Sequence, residues 1–153
     1  MRSCEGCTLC CTVVAVPMLA KPAGTPCRHL CPDGCGIFAD PARPVACHAY
    51  RCAWLFNAAW PDLLRPDRCH IVFEPFGDRC MAAAVDEQYP TAWTTGPGHA
   101  AITKLMQAGF AVVVVIGAVK HVLVPDGVTP ASVWTQVERA MRTAWPQPVT
   151  PPI

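Results

Sequence analysis

The sequence predicts an α+β protein with an irregular, cysteine-rich and metal-stabilised N-terminal half, followed by a small α+β half. Eight of the 11 cysteines fall within the first fifty residues, among prolines and glycines and with little hydrophobic periodicity. From Cys69 onward, β-branched runs separated by turn residues predict two hairpins. Two stretches with helical spacing of apolar residues, bounded by proline or glycine, predict two helices in the same half.

The first half has too few periodic apolar residues to build a conventional core. Metal coordination can organise such a segment, because the free energy of binding then becomes free energy of folding. One helix is predicted over residues 45–59, where apolar residues from Tyr50 to Ala58 recur at helical spacing. Two prolines then bracket a short turn at residues 62–64.

The second half alternates strand and helix patterns. Its predicted elements are strands at residues 71–74 and 80–86, a helix at 97–108, strands at 110–116 and 119–124, and a helix at 129–143. Pro97 at the start of the first of these helices and Gly109 just past its end are typical of helix boundaries. We therefore divide the chain into a cysteine-rich metal-binding module at residues 1–68, an α+β domain at 69–145 and a proline-rich tail at 146–153.

Composition excludes some classes of function. The formal net charge is +1, so the chain lacks the basic footprint of a nucleic-acid-binding protein. The apolar segment at residues 110–124 is shorter than the roughly twenty residues of a membrane span and is interrupted by Lys120 and His121. Only 15% of residues are charged, a sparse surface that favours a protein partner or a homodimer.

Cysteine density permits either a secreted disulfide scaffold or a metal site in a reducing compartment. No basic and apolar leader precedes Cys4, and the number of cysteines is odd. Both observations favour the metal site and a cytoplasmic location.

The opening motif, Cys-x2-Cys-x2-Cys-Cys from Cys4 to Cys11, carries the strongest chemical signal. Two-residue spacers let successive sulfurs point to a common centre, and Gly6 can adopt a positive φ that lets backbone N–H groups approach them. Iron–sulfur clusters use such runs with a fourth cysteine from elsewhere, whereas zinc sites use Cys-x2-Cys pairs from separate loops. The motif satisfies both templates.

Other cysteines fall into three groups. Cys27, Cys35, Cys47 and Cys52 are further candidate ligands, which gives enough sulfur for two tetrahedral sites or one polynuclear site. The vicinal cysteines at the end of the opening motif suit two sites, or one metal ligand beside one packed side chain. Cys31 is ambiguous. The remaining two, in apolar strand patterns, are interpreted as buried hydrophobic residues: Cys69 and Cys80.

Polar neighbours of the cysteines have secondary roles in this interpretation. His29 and His48 adjoin candidate ligands and are alternatives to a sulfur, but cysteines are plentiful enough to leave both outside the metal's coordination. Several arginines can offset thiolate charge through nearby hydrogen bonds: Arg2, Arg28, Arg43 and Arg51.

An ordered set of motifs resembles the YkgJ-type CxxCxxCC cysteine-cluster family, which is described as zinc- or iron-chelating. After the opening motif these are Pro-Cys-x2-Leu at Cys27, Gly-Cys-Gly-Ile-Phe at Cys35, Arg-Pro-x2-Cys at Cys47 and Cys-x-Trp-Leu at Cys52. The resemblance implies metal binding, most simply as an iron–sulfur cluster, without fixing a reaction. The ligands that it implies are Cys4, Cys7, Cys10, Cys11, Cys27, Cys35, Cys47 and Cys52.

Three functions are consistent with these patterns. The first is an iron–sulfur protein for electron transfer or maturation of a partner. The second is a structural zinc module that stabilises a protein-interaction domain. The third is a metalloenzyme with a pocket between the two halves, for which Glu5, Asp33 and Asp40 are available as acid–base residues but are not placed convincingly by the sequence.

Overall fold

The structure, a computed structural model, describes residues 2–144, and side chains as far as residue 139. The predicted tail at 146–153 and Trp145 lie outside the described residues. Two short strands, β1 (Leu30–Cys31) and β2 (Gly34–Cys35), precede the main sheet. The strands of the main sheet are β3 (Ile71–Phe76), β4 (Cys80–Val85), β5 (Ala111–Ile116) and β6 (Val119–Leu123). The α-helices are α1 (Cys10–Val13), α2 (Val45–Ala49), α3 (Ala53–Phe56), α4 (Pro66–Cys69), α5 (Gly96–Gln107) and α6 (Pro130–Ala144).

The second half is a four-stranded sheet with strand order β3-β4-β5-β6. Both predicted hairpins are present, so the α+β class is confirmed. The sequence did not indicate that the hairpins join: β4 pairs in parallel with β5, with Ala83 opposite Val114, and α5 lies in the connection between them. A parallel pair needs such a crossover, which the long helix supplies.

Helices cover both faces of this sheet. On one face Phe73 and Val112 pack with Ile102 of α5. On the other face Val113 packs with Val133 of α6. Burial on both sides explains why β5 is a continuous run of valines rather than an alternation of apolar and polar residues.

The first half is built from short helices and turns that partly share the core of the second. Ala53 and Leu64 belong to the same buried cluster as the sheet residues. The predicted turn at residues 62–64 is present as a 3-10 helix, Asp62–Leu64. Helix α4 was not predicted from the sequence, because a single turn starting at Pro66 is too short for a periodic pattern.

The predicted continuous helix at residues 45–59 is wrong. It is divided into α2 and α3, and the chain is extended at Tyr50 and Cys52, where ψ is 131° and 162°. On one continuous helix Cys47 and Cys52 would point about 140° apart, because each residue turns the chain by about 100°. The break allows both cysteines to line the same cavity.

The prediction that residues 110–124 form a hairpin rather than a membrane span is confirmed. Among the described residues, no helix has the length and apolar character needed to cross a membrane.

Candidate metal centre

One cavity of about 700 Å³ lies entirely within the first half, lined by residues between Arg2 and Pro66. All eight of the predicted ligands line this cavity: Cys4, Cys7, Cys10, Cys11, Cys27, Cys35, Cys47 and Cys52. Cys4 is exposed, and the other seven are half-buried.

A tight turn and a short helix carry the opening motif. The backbone N–H of Cys7 donates to the carbonyl of Cys4 at 2.9 Å, and Gly6 inside this turn has a φ of +70°, as expected from the sequence. Cys10 and Cys11 are consecutive residues of α1. The turn and the helix therefore place four thiols within eight residues through local backbone structure.

Separate short elements position the other four cysteines. The Cys27 N–H donates to the Cys11 carbonyl at 2.9 Å, which holds the loop against α1. Cys35 lies in the small β1–β2 hairpin, paired opposite Leu30. Cys47 is in α2, and Cys52 immediately precedes α3.

The remaining three cysteines lie elsewhere. Cys31 is exposed and does not line the cavity. Cys69 and Cys80 are each 3% exposed and belong to the apolar core, as interpreted from the sequence. Their thiols contact polar groups: Cys69 Sγ donates to the Ile71 carbonyl at 3.3 Å, and Cys80 Sγ lies 3.4 Å from Gln136 Oε1.

The thiols at the vicinal pair differ in acidity. Interaction with the Cys11 sulfur, followed by burial, raises the pKa of Cys10. Interaction with the Cys10 sulfur lowers the pKa of Cys11 to about 6, and the positive charges of Lys21 and Arg43 lower it further against the opposing effect of burial. Burial raises the pKa of Cys47 as well, although Arg43 opposes the shift. Thiolate character is therefore concentrated at Cys11 near these two cations.

Lys21 is the cation that sequence reasoning missed. It is only 6% exposed, and its Nζ donates to the carbonyls of Thr12, Val14 and Pro22, at 2.9 Å for Thr12 and 3.3 Å for Pro22. Burial lowers the pKa of Lys21, while the charges of Cys27 and Cys11 raise it again. An amphipathic lysine among prolines gives no sequence signal for burial, because the three acceptor carbonyls, in α1 and in the loop after it, come together only in the folded chain.

Two buried N–H donors in the cavity wall have no hydrogen-bond partner within the described part of the chain. They are Arg43 Nε and Trp54 Nε1. Trp54 is 6% exposed, so water cannot easily satisfy its indole N–H. Such donors fit a sulfur-ligated metal centre, because hydrogen bonds to ligand or cluster sulfur commonly stabilise it.

A second hydrogen-bonded pair borders the cavity. The hydroxyl of Tyr50, a lining residue, donates to Oε2 of Glu74 on β3 at 3.3 Å. Burial raises the pKa of the Glu74 carboxyl, and the hydrogen bond from Tyr50 opposes this shift. This contact, which the sequence did not indicate, links the cavity wall to the sheet.

The donor set of the cavity is sulfur. No Asp or Glu from residues 2–144 lines it, and Glu5, Asp33 and Asp40 are not among its lining residues. His48 lines the cavity and is itself exposed, whereas His29 lies outside it, 3.3 Å from Arg28 Nε. Thiolates without carboxylates suit zinc or iron–sulfur clusters and not magnesium or calcium.

All 11 cysteines lie within the described residues and are free thiols. Across this same part of the chain, no three His, Cys, Asp or Glu side chains are grouped in a way that could hold a metal ion. The eight cavity thiols thus share one space without converging on a single point.

Comparison of the chain with protein-family models, with curated proteins and with solved structures found no match.

Proposed function

We propose that this protein binds metal in the cysteine-lined cavity, as an iron–sulfur cluster. The observation that carries the proposal is that all eight candidate cysteines, which come from separate elements, line one cavity of about 700 Å³. A space of this size exceeds the need of one tetrahedral ion, which contacts its ligands directly at about 2.3 Å. Metal binding would draw the thiols together and so stabilise the loops that carry them.

Charge and hydrogen bonding in the cavity support a thiolate-ligated centre. Lys21 and Arg43 offset thiolate charge near Cys11, whose pKa is lowered first by the neighbouring Cys10 sulfur. The unpaired N–H groups of Arg43 and Trp54 are available for hydrogen bonds to sulfur. These are the features by which proteins adjust the stability and potential of such centres.

We infer that the role is electron transfer or the maturation of a protein partner. An iron–sulfur cluster supplies reversible one-electron chemistry when it is bound. Cys4 is exposed and the other seven thiols are only half-buried, so a cluster would lie close to the protein surface. The low fraction of charged residues, 15%, is compatible with a partner protein or with a homodimer.

A structural zinc module is the second candidate. The first fifty residues bury few apolar side chains: of the described hydrophobic core residues, only Val13 comes from this segment. This scarcity favours a metal that stabilises the fold. Zinc would then supply folding free energy without redox chemistry. The metalloenzyme alternative is less favoured, because the cavity lies within the first half and has no carboxylate in its described wall.

We propose that the protein works in the cytoplasm, a reducing compartment in which free thiols persist; the 11 unpaired cysteines are compatible with this location. A disulfide framework would require pairs of these cysteines to be oxidised.

Anaerobic purification followed by metal, sulfide and visible-absorption analysis tests the proposal. We expect a brown protein that contains iron and acid-labile sulfide. A colourless protein with stoichiometric zinc and no sulfide would refute the iron–sulfur form and support the zinc module. A protein that takes up neither metal would refute both.

A further inference from the structure

A short segment near the start of the chain forms one side of the cysteine-lined cavity. We call residues 2–6 the N-terminal strap. Its first three residues, Arg2, Ser3 and Cys4, line the cavity. Arg2 is half-buried, and the other four residues of the strap are exposed. The strap therefore has the cavity on one side and solvent on the other.

The Arg2 side chain holds one end of the strap against α3 and the turns after it. Its guanidinium donates to the carbonyls of Trp54 and Asn57, both at 2.7 Å, and to the carbonyl of Trp60. Its Cζ lies 4.7 Å from the centre of the Trp54 ring, and its Nη2 lies 3.6 Å from Oδ1 of Asp62. Hydrogen bonds from a charged donor are stronger than neutral ones, so a single side chain can hold this end.

Arg65 holds the other end of the strap. Its guanidinium donates to the carbonyl of Glu5. Its Cζ lies 5.6 Å from the centre of the Trp54 ring, so the guanidinium groups of Arg65 and Arg2 lie beside the same indole. Trp54 is 6% exposed and lines the cavity. Both ends of the strap are thus fixed close to one buried side chain of the cavity wall.

Apolar packing adds little to these two attachments. The strap has the sequence Arg-Ser-Cys-Glu-Gly, without a large apolar side chain. Its other described hydrogen bonds are local: the Glu5 N–H donates to Ser3 Oγ at 3.1 Å, and the Cys7 N–H donates to the Cys4 carbonyl. Exposed segments with few buried apolar contacts open at a lower free energy than the core of the same protein. Opening of the strap consequently depends on the two arginines.

We propose that the N-terminal strap is a gate to the cysteine-lined cavity, held closed by Arg2 and Arg65. When Arg2 releases its three carbonyls, residues 2–4 leave the cavity wall, and small molecules reach the thiols behind them. In the closed strap those molecules meet thiols of which seven are half-buried. Because the gate concerns access to the thiols, it does not rest on the proposed metal-binding function.

Alkylation of the cysteines by iodoacetamide, followed residue by residue with mass spectrometry, tests the gate. The variant is Arg2→Met in the whole chain purified without oxygen, because methionine keeps an apolar side chain near Trp54 and removes the donors. The seven half-buried cavity thiols should react about tenfold faster than in the wild type, because loss of one charged hydrogen bond changes an opening equilibrium by at least that factor. Rates are compared at equal metal content, since a bound metal protects its ligands.

Three other cysteines are internal controls. Cys31 is exposed and outside the cavity, so its rate should not change. Cys69 and Cys80 are each 3% exposed, so they should stay unlabelled unless the whole protein unfolds. Arg28→Met is the matched variant, because Arg28 is an exposed arginine of the same half that does not line the cavity. It should label like the wild type.

The direction of the change separates opening of the strap from a change in charge. The thiolate is the reactive form of cysteine, and removal of a nearby cation disfavours it. Loss of the Arg2 charge alone would therefore slow alkylation, whereas opening accelerates it. Arg2→Lys keeps the charge but lacks the planar guanidinium that serves three carbonyls, so this variant should also label faster than the wild type.

Faster labelling of the cavity thiols, with an unchanged rate at Cys31 and no labelling of Cys69 or Cys80, supports the gate. Equal or slower labelling of the cavity thiols in both Arg2 variants overturns it. If Arg2→Met also labels the two core cysteines, that variant has unfolded, and Arg2→Lys decides by the same criterion. Core labelling in both variants overturns the gate too, since Arg2 then supports the whole fold. A wild type without metal refutes the proposed function instead and leaves the comparison of labelling rates intact.

Discussion

Lys21 allows the sharpest test of how the cysteine cavity is held together. Its buried Nζ donates to the backbone carbonyl of Thr12 in α1 and to those of Val14 and Pro22 in the loop that follows, and its charge interacts with several cavity thiols. Lys21→Met keeps the length of the side chain but removes the charge and all three hydrogen bonds. The perturbation therefore acts on the loop and on the thiolates at once.

The size of the effect follows from these contacts. Each hydrogen bond from a charged donor contributes about 1.5–3 kcal/mol, and the variant recovers the cost of burying the ammonium group. We expect a net loss of about 3 kcal/mol in the free energy of unfolding, because three backbone carbonyls lose their donor at about 1–3 kcal/mol each, and the recovered desolvation of the ammonium group offsets part of that cost. Metal should be lost at a lower chelator concentration, because a cation beside Cys11 is gone.

Urea unfolding and chelator titration of the metal-loaded protein measure both effects. Lys120→Met is the control, because Lys120 is exposed on β6 and its replacement removes the same formal charge. If the two variants unfold at the same urea concentration and lose metal alike, Lys21 neither fixes the loop nor offsets thiolate charge.

Four further predictions concern the cavity and the core. Cys7→Ser should lower metal content. Cys80→Ser should retain the metal and lower the free energy of unfolding by about 1 kcal/mol, because Gln136 can accept a hydrogen bond from the new hydroxyl. Metal analysis with urea unfolding distinguishes the two variants, and full metal in the Cys7 variant would contradict its assignment as a ligand. Chelation should expose residues 1–60 to protease while the sheet resists; unchanged protection would show that metal does not organise the first half. Gly98→Ala should destabilise by about 1–3 kcal/mol in thermal unfolding, because the added Cβ would lie 2.4 Å from a backbone oxygen, and a gain would mean that α5 shifts freely. Since burial raises the Glu74 pKa, the wild type should lose stability as pH rises above about 4.3, and Glu74→Gln should not; urea midpoints that vary with pH in parallel would contradict this.

Local pattern was sufficient to predict most of the second half. The strands at 71–76 and 80–85, the hairpin at 111–123 and both long helices are close to their predicted bounds, because turn glycines and helix-boundary prolines act over a few residues. The parallel pairing of β4 with β5 could not be predicted in this way. It depends on which edges meet after the crossover, and that is settled by burial of both faces of β5 under α5 and α6.

The cysteine spacing by itself determined which thiols to consider, because two-residue spacers restrict where neighbouring sulfurs can point. Whether distant thiols share a space was decided by tertiary structure. The break between α2 and α3 turns Cys52 to the cavity that Cys47 also lines. The burial of Lys21 depends on three carbonyls, one in α1 and two in the loop after it, that meet only in the folded chain. Contacts between residues far apart in the chain leave no periodic signal, since they depend on the path of the backbone between them.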